Sequence, residues 1–494
     1  MSLQTWSETT LAPVHDASNP ILGAERDSDC RALRASDERS QPQPIKVGIV
    51  GLSTKPGTWA RTFLFPALNN AALASTYSIT ALSTTTPASA CASVAEFSPQ
   101  LNANVDNNSP DTHAIRPYSG DTAQIAADPD VDLVVVSVKA PHQKATAMPV
   151  IAAGKHCFIE WPVGKNSRET VELAEAARAQ GVRNIVGLQG RHSVVLRKAR
   201  DIIAAGKIGK VLSCSVISLI PREAGYCGPF VNEINAYTID EASGGSTLDI
   251  IVAHHLDSLL SVLGQDFVSV SATKSILYPT ASLIDMSGRP TGTSVTVTCP
   301  DQVAFTGTLS GGAVASVIFR GGYTAVQRGD GPEKGKPFGR KNLLWEIDGE
   351  DGCLRIESGT MWGSFLQMAD PTLFLNGEQI QVQAHRPEDA PIANAIAKNA
   401  ENENGTGNSE TGTGSARKEG GKTILNAEDL LVDCGDASLR NLVTQFAEFA
   451  KDRQEGSNGE DEERRYATLD DAVKLRRLLD AISTSAKEGR RVDL

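Results

Sequence analysis

Apolar and polar residues divide this chain into four stretches of different character. Positions 1–44 are polar, rich in Ser, Asp, Pro and Gln, and hold no apolar period. Such a stretch buries too little apolar surface to offset chain entropy, so it reads as a disordered tail. At Ile45 the character changes. IKVGIVGL (45–52), YSITALS (77–83), VDLVVVSV (131–138), HCFIEW (156–161) and NIVGLQ (184–189) are short apolar runs rich in β-branched residues. Runs of this kind suit strands buried on both faces of a parallel sheet. Helical stretches separate them, at 59–70, at 143–153 before Gly154, and at 167–179 before Gly181. Strands alternating with helices predict βαβ units with right-handed crossovers, and hence a doubly wound α/β domain over 45–190.

Beyond about residue 210 the pattern becomes one of alternation. VLSCSVISLI, VSVSATKSILY, TSVTVTC, QVAFTGTLSGGAVASVIFRGG and NLLWEIDGEDGCLRIES are joined by Gly-containing turns, as antiparallel hairpins are. A helix around 247–263 interrupts them. Residues 191–494 are therefore expected to form an α+β domain with a large, open, mostly antiparallel sheet. Residues 394–425, rich in Gly, Asn, Ser and Thr, read as a disordered surface insertion, and 452–465 as a second polar break. A last helix at 469–487 places Ala472, Leu475, Leu478, Leu479 and Ile482 on one apolar stripe.

Bulk composition narrows the class. A chain of 494 residues exceeds one core and fits two domains, at roughly 100 to 200 residues each. A net charge of −12 argues against a surface for nucleic acid or anionic membrane, both of which select a basic face. Eight cysteines fall at irregular spacings without a C-x-x-C pair, which reads as reduced thiols of a cytoplasmic or nuclear protein. The first thirty residues lack the basic and apolar regions of a secretory signal, and no apolar run reaches the roughly 18 residues of a membrane span.

The candidate chemistry starts at GIVGLSTKPGTW (48–59). A dinucleotide pocket needs a tight turn after the first strand, a close backbone approach to pyrophosphate, and a helix N-terminus aimed at it. Gly51 and Gly57 fit the first two needs. Ser53 stands where a second glycine is usual, and the loop is longer than G-x-G-x-x-G. The second strand ends at Ser83 and Thr84 with no Asp, Glu or Arg. An acid there would select the ribose 2′-hydroxyl of NAD, whereas hydroxyls tolerate the 2′-phosphate of NADP. A plain Ser/Thr loop is the competing reading.

Two later segments are more specific. AGKHCFIEWP (153–162) resembles the AGKHV-x-x-EKP signature of the Gfo/Idh/MocA oxidoreductase family, and GGSTLDIIVAHHLD (244–257) resembles its G-G…D…H-x-x-D stretch. The chain is also similar to that family's fungal group of galactose/lactose regulatory proteins and their oxidoreductase-like relatives. The segments carrying this are VGIVGLS with Trp59, EWP in place of EKP, 188–211, 300–312 and 343–357. The resemblance covers about 46–370 and 438–492.

That resemblance implies a Rossmann domain followed by an open-sheet domain, association into dimers or tetramers through the sheet, and NAD or NADP as cofactor. It implies that Glu160, Trp161 and Pro162 lie at the cofactor, with Glu160 on the nicotinamide ribose. A structural acid is the alternative for Glu160. The family's EKP lysine, which touches cofactor and substrate, is here Trp161, an indole that packs on a ring but carries no charge. His254 is the candidate proton acceptor and Asp257, at i+3, its orienting acid. A domain-interface role is the competing reading for His254. Lys139, after the third run, is a candidate for the missing cation, or else a solvated loop lysine. His142 is a weak candidate, one position before Gln143, where the family usually has a histidine. Asp249 stands one residue off the family's first acid, and a helix N-terminal role competes. Gln189 and Arg191 are candidate substrate contacts, with a salt bridge competing for Arg191.

Two functions follow. One is an NAD(P)-dependent oxidoreductase acting on a sugar or polyol hydroxyl. The other is a catalytically silent NAD(P)-binding regulator whose partner is a transcription activator. Loss of the EKP lysine favours the second, and the cleft histidine with the two-domain architecture favours the first.

Overall fold

The computed structural model describes residues 43–102, 114–327, 334–382, 427–455 and 465–494. The expected tail, but for its last two residues, and the expected insertion at 394–425 lie outside them.

Strand β1, Ile45–Val50, is buried along nearly its whole length, as its uniform apolar run requires. It leads into helix α1, which begins with a wide π turn at Ala60–Leu64 and continues over Phe65–Leu68. There follow β2 (Tyr77–Thr84), α2 (Pro87–Asn102), β3 (Arg116–Ser119), α3 (Ala123–Ala126), β4 (Leu133–Val136), α4 (Ala140–Ala152), β5 (His156–Ile159), α5 (Ser167–Ala179) and β6 (Asn184–Val186). The six strands pair in parallel in the order β3-β2-β1-β4-β5-β6, the doubly wound order of dinucleotide-binding domains. Its switch point lies between β1 and β4, where such folds place ligands. β3 was not expected from the sequence, because RPYS is a four-residue edge strand containing a proline.

The second domain begins with α6 (Val194–Ala204) and β7 (Val211–Pro221), then β8 (Phe230–Asn232). A π turn at Leu248–Val252 runs into α7 (Ala253–Leu263). β9 (Phe267–Ser275), β10 (Thr280–Ile284), β11 (Pro290–Thr296), β12 (Gln302–Leu309), β13 (Val314–Tyr323), β14 (Leu343–Gly349), β15 (Cys353–Ser358), β16 (Thr372–Leu375) and β17 (Glu378–Ile380) follow. The chain closes with α8 (Ala427–Glu455), α9 (Leu469–Glu488) and β18 (Val492–Asp493). Nine strands form one sheet in the order β17-β16-β15-β14-β7-β13-β12-β9-β18, antiparallel except for the β7/β13 pair. β11, β10 and β8 form a separate three-stranded sheet.

α8 and α9 return to the first domain and bind the two together. Phe446 of α8 is fully buried against Tyr77 of β2 and Phe158 of β5, with ring centroids 5.7 and 5.3 Å away. The Tyr77 hydroxyl donates to the Phe446 carbonyl at 2.7 Å, and Gln445 Nε2 donates to Val186 O at 2.8 Å. α9 starts in a capping box, with Thr468 and Asp471 satisfying each other's backbone N–H groups. Most buried apolar residues of both domains consequently form one contiguous cluster, and Val231, Ile239, Ala281 and Val297 form a second, small one under the three-stranded sheet. The six cysteines whose side chains are described are free thiols, in keeping with the reading of their spacing.

Candidate active site

Gly51 sits at φ +95°, and a Cβ there would collide with the Ser137 carbonyl of the neighbouring strand end. Only glycine therefore makes this turn at the switch point. The following loop is held locally. Ser53 Oγ accepts from Lys55 N at 3.2 Å, and Thr54 O accepts from the Arg61 guanidinium at 2.7 Å. Gly57 is at φ +71°, and a Cβ there would lie 3.0 Å from Met286 Cε of the second domain. The loop thus lies against the second domain, at Ile234 and Met286.

Trp59, at the start of α1, sends its indole N–H to Glu160 Oε1 at 2.6 Å. Glu160 follows β5 at the carboxyl edge of the sheet and packs against Gly187, where a side chain would strike its carboxyl. Burial pushes its pKa up to about 8, against the pull of the Trp59 bond, so the carboxyl is mostly neutral at pH 7. Lys139 lies just past the end of β4, and its ammonium stands 4.6 Å from the centre of the Tyr237 ring. Partial burial, then the charge of Lys55, lowers its pKa. Gln143, at the family's usual histidine position, is buried and structural: Nε2 donates to Glu160 O at 2.8 Å and Oε1 accepts from Gly164 N at 2.9 Å. His142 is exposed beside it.

Trp161 is locked in place. Its peptide bond to Pro162 is cis. Its indole N–H donates to the Asp249 carbonyl at 2.5 Å, and the Arg476 guanidinium of α9 lies 5.2 Å from its ring centre. Arg476 also donates to Asp249 Oδ1 at 2.6 Å and to Gly164 O at 2.8 Å. Asp249 further accepts from Ser246 Oγ at 2.5 Å, so it serves the helix N-terminus and this cation together. Gly244, from the second motif, lies against the backbone of Lys165, which closes the cleft on that side.

The histidines and their neighbours are arranged otherwise than expected. His254 is 6% exposed, with Nδ1 lacking a hydrogen bond, and burial, then His255, pushes its pKa down to about 3. Asp257 does not orient it: both carboxylate oxygens bind Arg191 at 2.6 to 2.9 Å, because a buried guanidinium left unpaired would cost several kcal/mol. Arg191 also reaches Asp471 at 3.1 Å, so it lies in an ion-pair cluster, and Arg191, Asp257 and Asp471 together line a cavity of about 1060 Å³. Gln189 is fully buried. His255 packs on Phe319 and Trp345 and contacts Ser364 O at 2.7 Å. At the end of β2, Ser83 is buried and Thr84 Oγ1 bonds Ser89 Oγ at 2.6 Å, so this hydroxyl cluster satisfies itself. Tyr237 is the cleft residue the sequence reading missed; its 4.6 Å contact with Lys139 had no local signal.

Comparison with known proteins agrees with this construction. Residues 45–188 match the family described as oxidoreductase family, NAD-binding Rossmann fold, and residues 194–358 match the Gal80p C-terminal domain. Dehydrogenase aclE of Aspergillus oryzae is 30% identical over 246 residues, which is 50% of this chain and 62% of that protein. The galactose/lactose metabolism regulatory protein GAL80 of Saccharomyces cerevisiae is 26% identical over 365 residues, 71% of this chain and 73% of its own length. The crystal structure of a super-repressor mutant of that regulator superposes with a TM-score of 0.67 at 21% identity, covering 91% of this chain and 98% of that one. Levoglucosan dehydrogenase in complex with NADH and L-sorbose superposes with a TM-score of 0.60 at 17% identity, covering 91% and 99%. No helix among the described residues is long and apolar enough to cross a membrane, and no metal-binding cluster occurs among them.

Two outcomes follow from this geometry. A carboxyl held at a pKa of about 8, above its ordinary 4.5, binds a proton more tightly in the folded state. Its contribution to stability is full below 4.5 and is lost as pH rises through 8. Urea titrations across that range should show the decline, and Glu160→Gln should flatten it. Separately, Trp161→Lys puts an ammonium beside the Arg476 guanidinium and empties an aromatic site. It should lower unfolding free energy by about 3–5 kcal/mol in denaturant melts, with Arg476→Met restoring part of the loss.

Proposed function

Because the chain belongs to the Gfo/Idh/MocA oxidoreductase family, we propose that it holds NAD or NADP in this cleft and transfers hydride to or from a sugar or polyol. The observation that carries the reading is Lys139. It returns a cation, solvent-exposed but seated on the Tyr237 ring, to a site from which Trp161 has removed the usual one. A cation with a lowered pKa, in a cleft at the carboxyl edge of a parallel sheet, is the environment in which charge-assisted chemistry is found.

The residues fit the cofactor. Gly51 and Gly57 bring backbone close to a pyrophosphate, while Trp59 and the neutral Glu160 offer a ring face and a hydrogen-bonding edge to a nicotinamide riboside. When bound, the nicotinamide supplies or accepts the hydride. Lys139 stabilises negative charge on the reacting oxygen, and Trp161 excludes water beside it. His254 stays neutral and buried and does not serve as the base. The uncovered face of the nine-stranded sheet, with Leu212, Val268 and Val314 exposed, is the proposed surface for a dimer or tetramer.

A second reading, a silent NAD(P)-binding regulator with an activator partner, is favoured by the locked Trp161 and the Gal80p-type second domain. A panel of hexoses, ketoses and polyols, including levoglucosan and L-sorbose, separates the two when scanned with both nicotinamides in both redox states. Steady change of nicotinamide absorbance is expected, falling about 100-fold in Lys139→Met. Cofactor binding by calorimetry without turnover on any compound would leave the regulator reading.

A further inference from the structure

We propose that Tyr237 is the proton-transfer residue of this site, with the Lys139 ammonium on its ring face holding the charge that forms when the proton leaves. The proposal rests on the oxidoreductase reading above and names a residue that neither the family motifs nor the comparisons assign.

Tyr237 enters the cleft from the second domain on a short helical turn, Glu233–Ile239. Its position is fixed from three sides. Its carbonyl accepts from Ser243 Oγ at 2.6 Å. Its ring lies on the Gly245 backbone so closely that a Cβ there would be 2.9 Å from Cε2. The Lys139 ammonium stands 4.6 Å from the ring centre on a face left open to it. Gly245 of the second glycine motif thus leaves room for the edge of this ring.

The hydroxyl itself is left free. Four other tyrosines have theirs committed: Tyr77 to Phe446 O, Tyr118 to Asp128, Tyr278 to Gly322 O and Tyr466 to Asp452. The Tyr237 hydroxyl has no hydrogen-bond partner among the described residues, and the side chain keeps partial exposure. A phenol held rigid, unbonded and beside a cation is ready for a ligand oxygen. His254 cannot take the same part, because Asp257 is spent on Arg191 and the imidazole is too weak a base at neutral pH.

In the reductive direction Tyr237 gives its proton to the carbonyl oxygen as hydride from the reduced nicotinamide reaches the carbonyl carbon. The C=O π pair moves to the oxygen, the phenol O–H bond breaks, and its pair stays on the phenolate. Lys139 stabilises that phenolate until solvent returns a proton; oxidation runs the same steps backwards. The groups facing Tyr237 are Lys139, Glu160 and Tyr226. Burial, then Glu160, raises its pKa, so the phenol is protonated at neutral pH and poised to donate. Reduction should therefore be level through neutral pH and decline on the alkaline side, as Glu160 ionises near 8 and Lys139 loses its proton below its ordinary 10.5.

The test compares wild type, Tyr237→Phe and Lys139→Met with NADH or NADPH and L-sorbose within the carbonyl panel. It pairs turnover with two readouts that need none, reduced-nicotinamide affinity by fluorescence and tyrosinate absorbance on alkaline titration. The expected result is a fall of about 100-fold or more in Tyr237→Phe, with affinity unchanged and one titrating phenol lost. In Lys139→Met that phenol should titrate at higher pH. Wild-type turnover with Tyr237→Phe equally fast overturns the role of Tyr237 and leaves the enzyme reading standing. Wild type that binds the nicotinamide and turns over nothing overturns both.

Discussion

One buried guanidinium joins the parts of this molecule that have to agree. Arg476 is 3% exposed on the last helix, yet its contacts are the Trp161 ring, the Asp249 carboxylate and the Gly164 carbonyl. These come from the loop after β5, from the π turn before α7 and from the segment leading into α5. A charge placed there is tolerable only if its donors are satisfied and its counter-ion is near. The sequence meets that demand at the two terminal nitrogens, with Asp249 and a carbonyl, and leaves Nε without a partner. The same demand fixes Trp161, and with it one wall of the cleft. Where the family carries a lysine, this chain has an aromatic plate backed by an arginine from 315 positions further along.

The rest of the cleft follows from that exchange. With no ammonium at 161, Glu160 loses a counter-ion and keeps its proton, steadied by the Trp59 indole. The positive charge reappears across the cleft on Lys139, where it rides on the Tyr237 ring instead of pairing with a carboxylate. A protonated carboxyl, an ammonium and a free phenol give this site hydrogen-bonding capacity and positive charge. The uncharged polyhydroxyl ligand proposed above would draw on that hydrogen-bonding capacity.

The parallel sheet was legible because strands buried on both faces are nearly all apolar, and β1, β2, β4, β5 and β6 each announce themselves in that way. β3 escaped because it is short, half-exposed and carries Pro117. α8 had a period to be found in Leu442, Val443, Phe446, Phe449 and Ala450, masked by the polar stretch before it. Around the candidate site, the sequence pointed to Gly51, Trp59, Lys139, Glu160 and Trp161 but not to what each one meets. The pairing of Asp257 with Arg191 rather than His254 depends on the Gln189–His192 turn approaching α7, which no spacing rule encodes. Tyr237 was invisible for the same reason: its cation comes from the other domain, 98 positions earlier.

The central claim is that the cofactor lies in this cleft, against Trp59 and Glu160. Energy transfer from tryptophan to bound NADH tests it most directly, because transfer falls steeply with distance and Trp59 is the indole at the glycine loop. At saturating NADH, excitation of tryptophan should yield nicotinamide emission, and replacing both cleft indoles, Trp59→Phe with Trp161→Phe, should remove most of it. Full transfer in that double variant, or binding without transfer in wild type, would place the cofactor elsewhere and contradict the account.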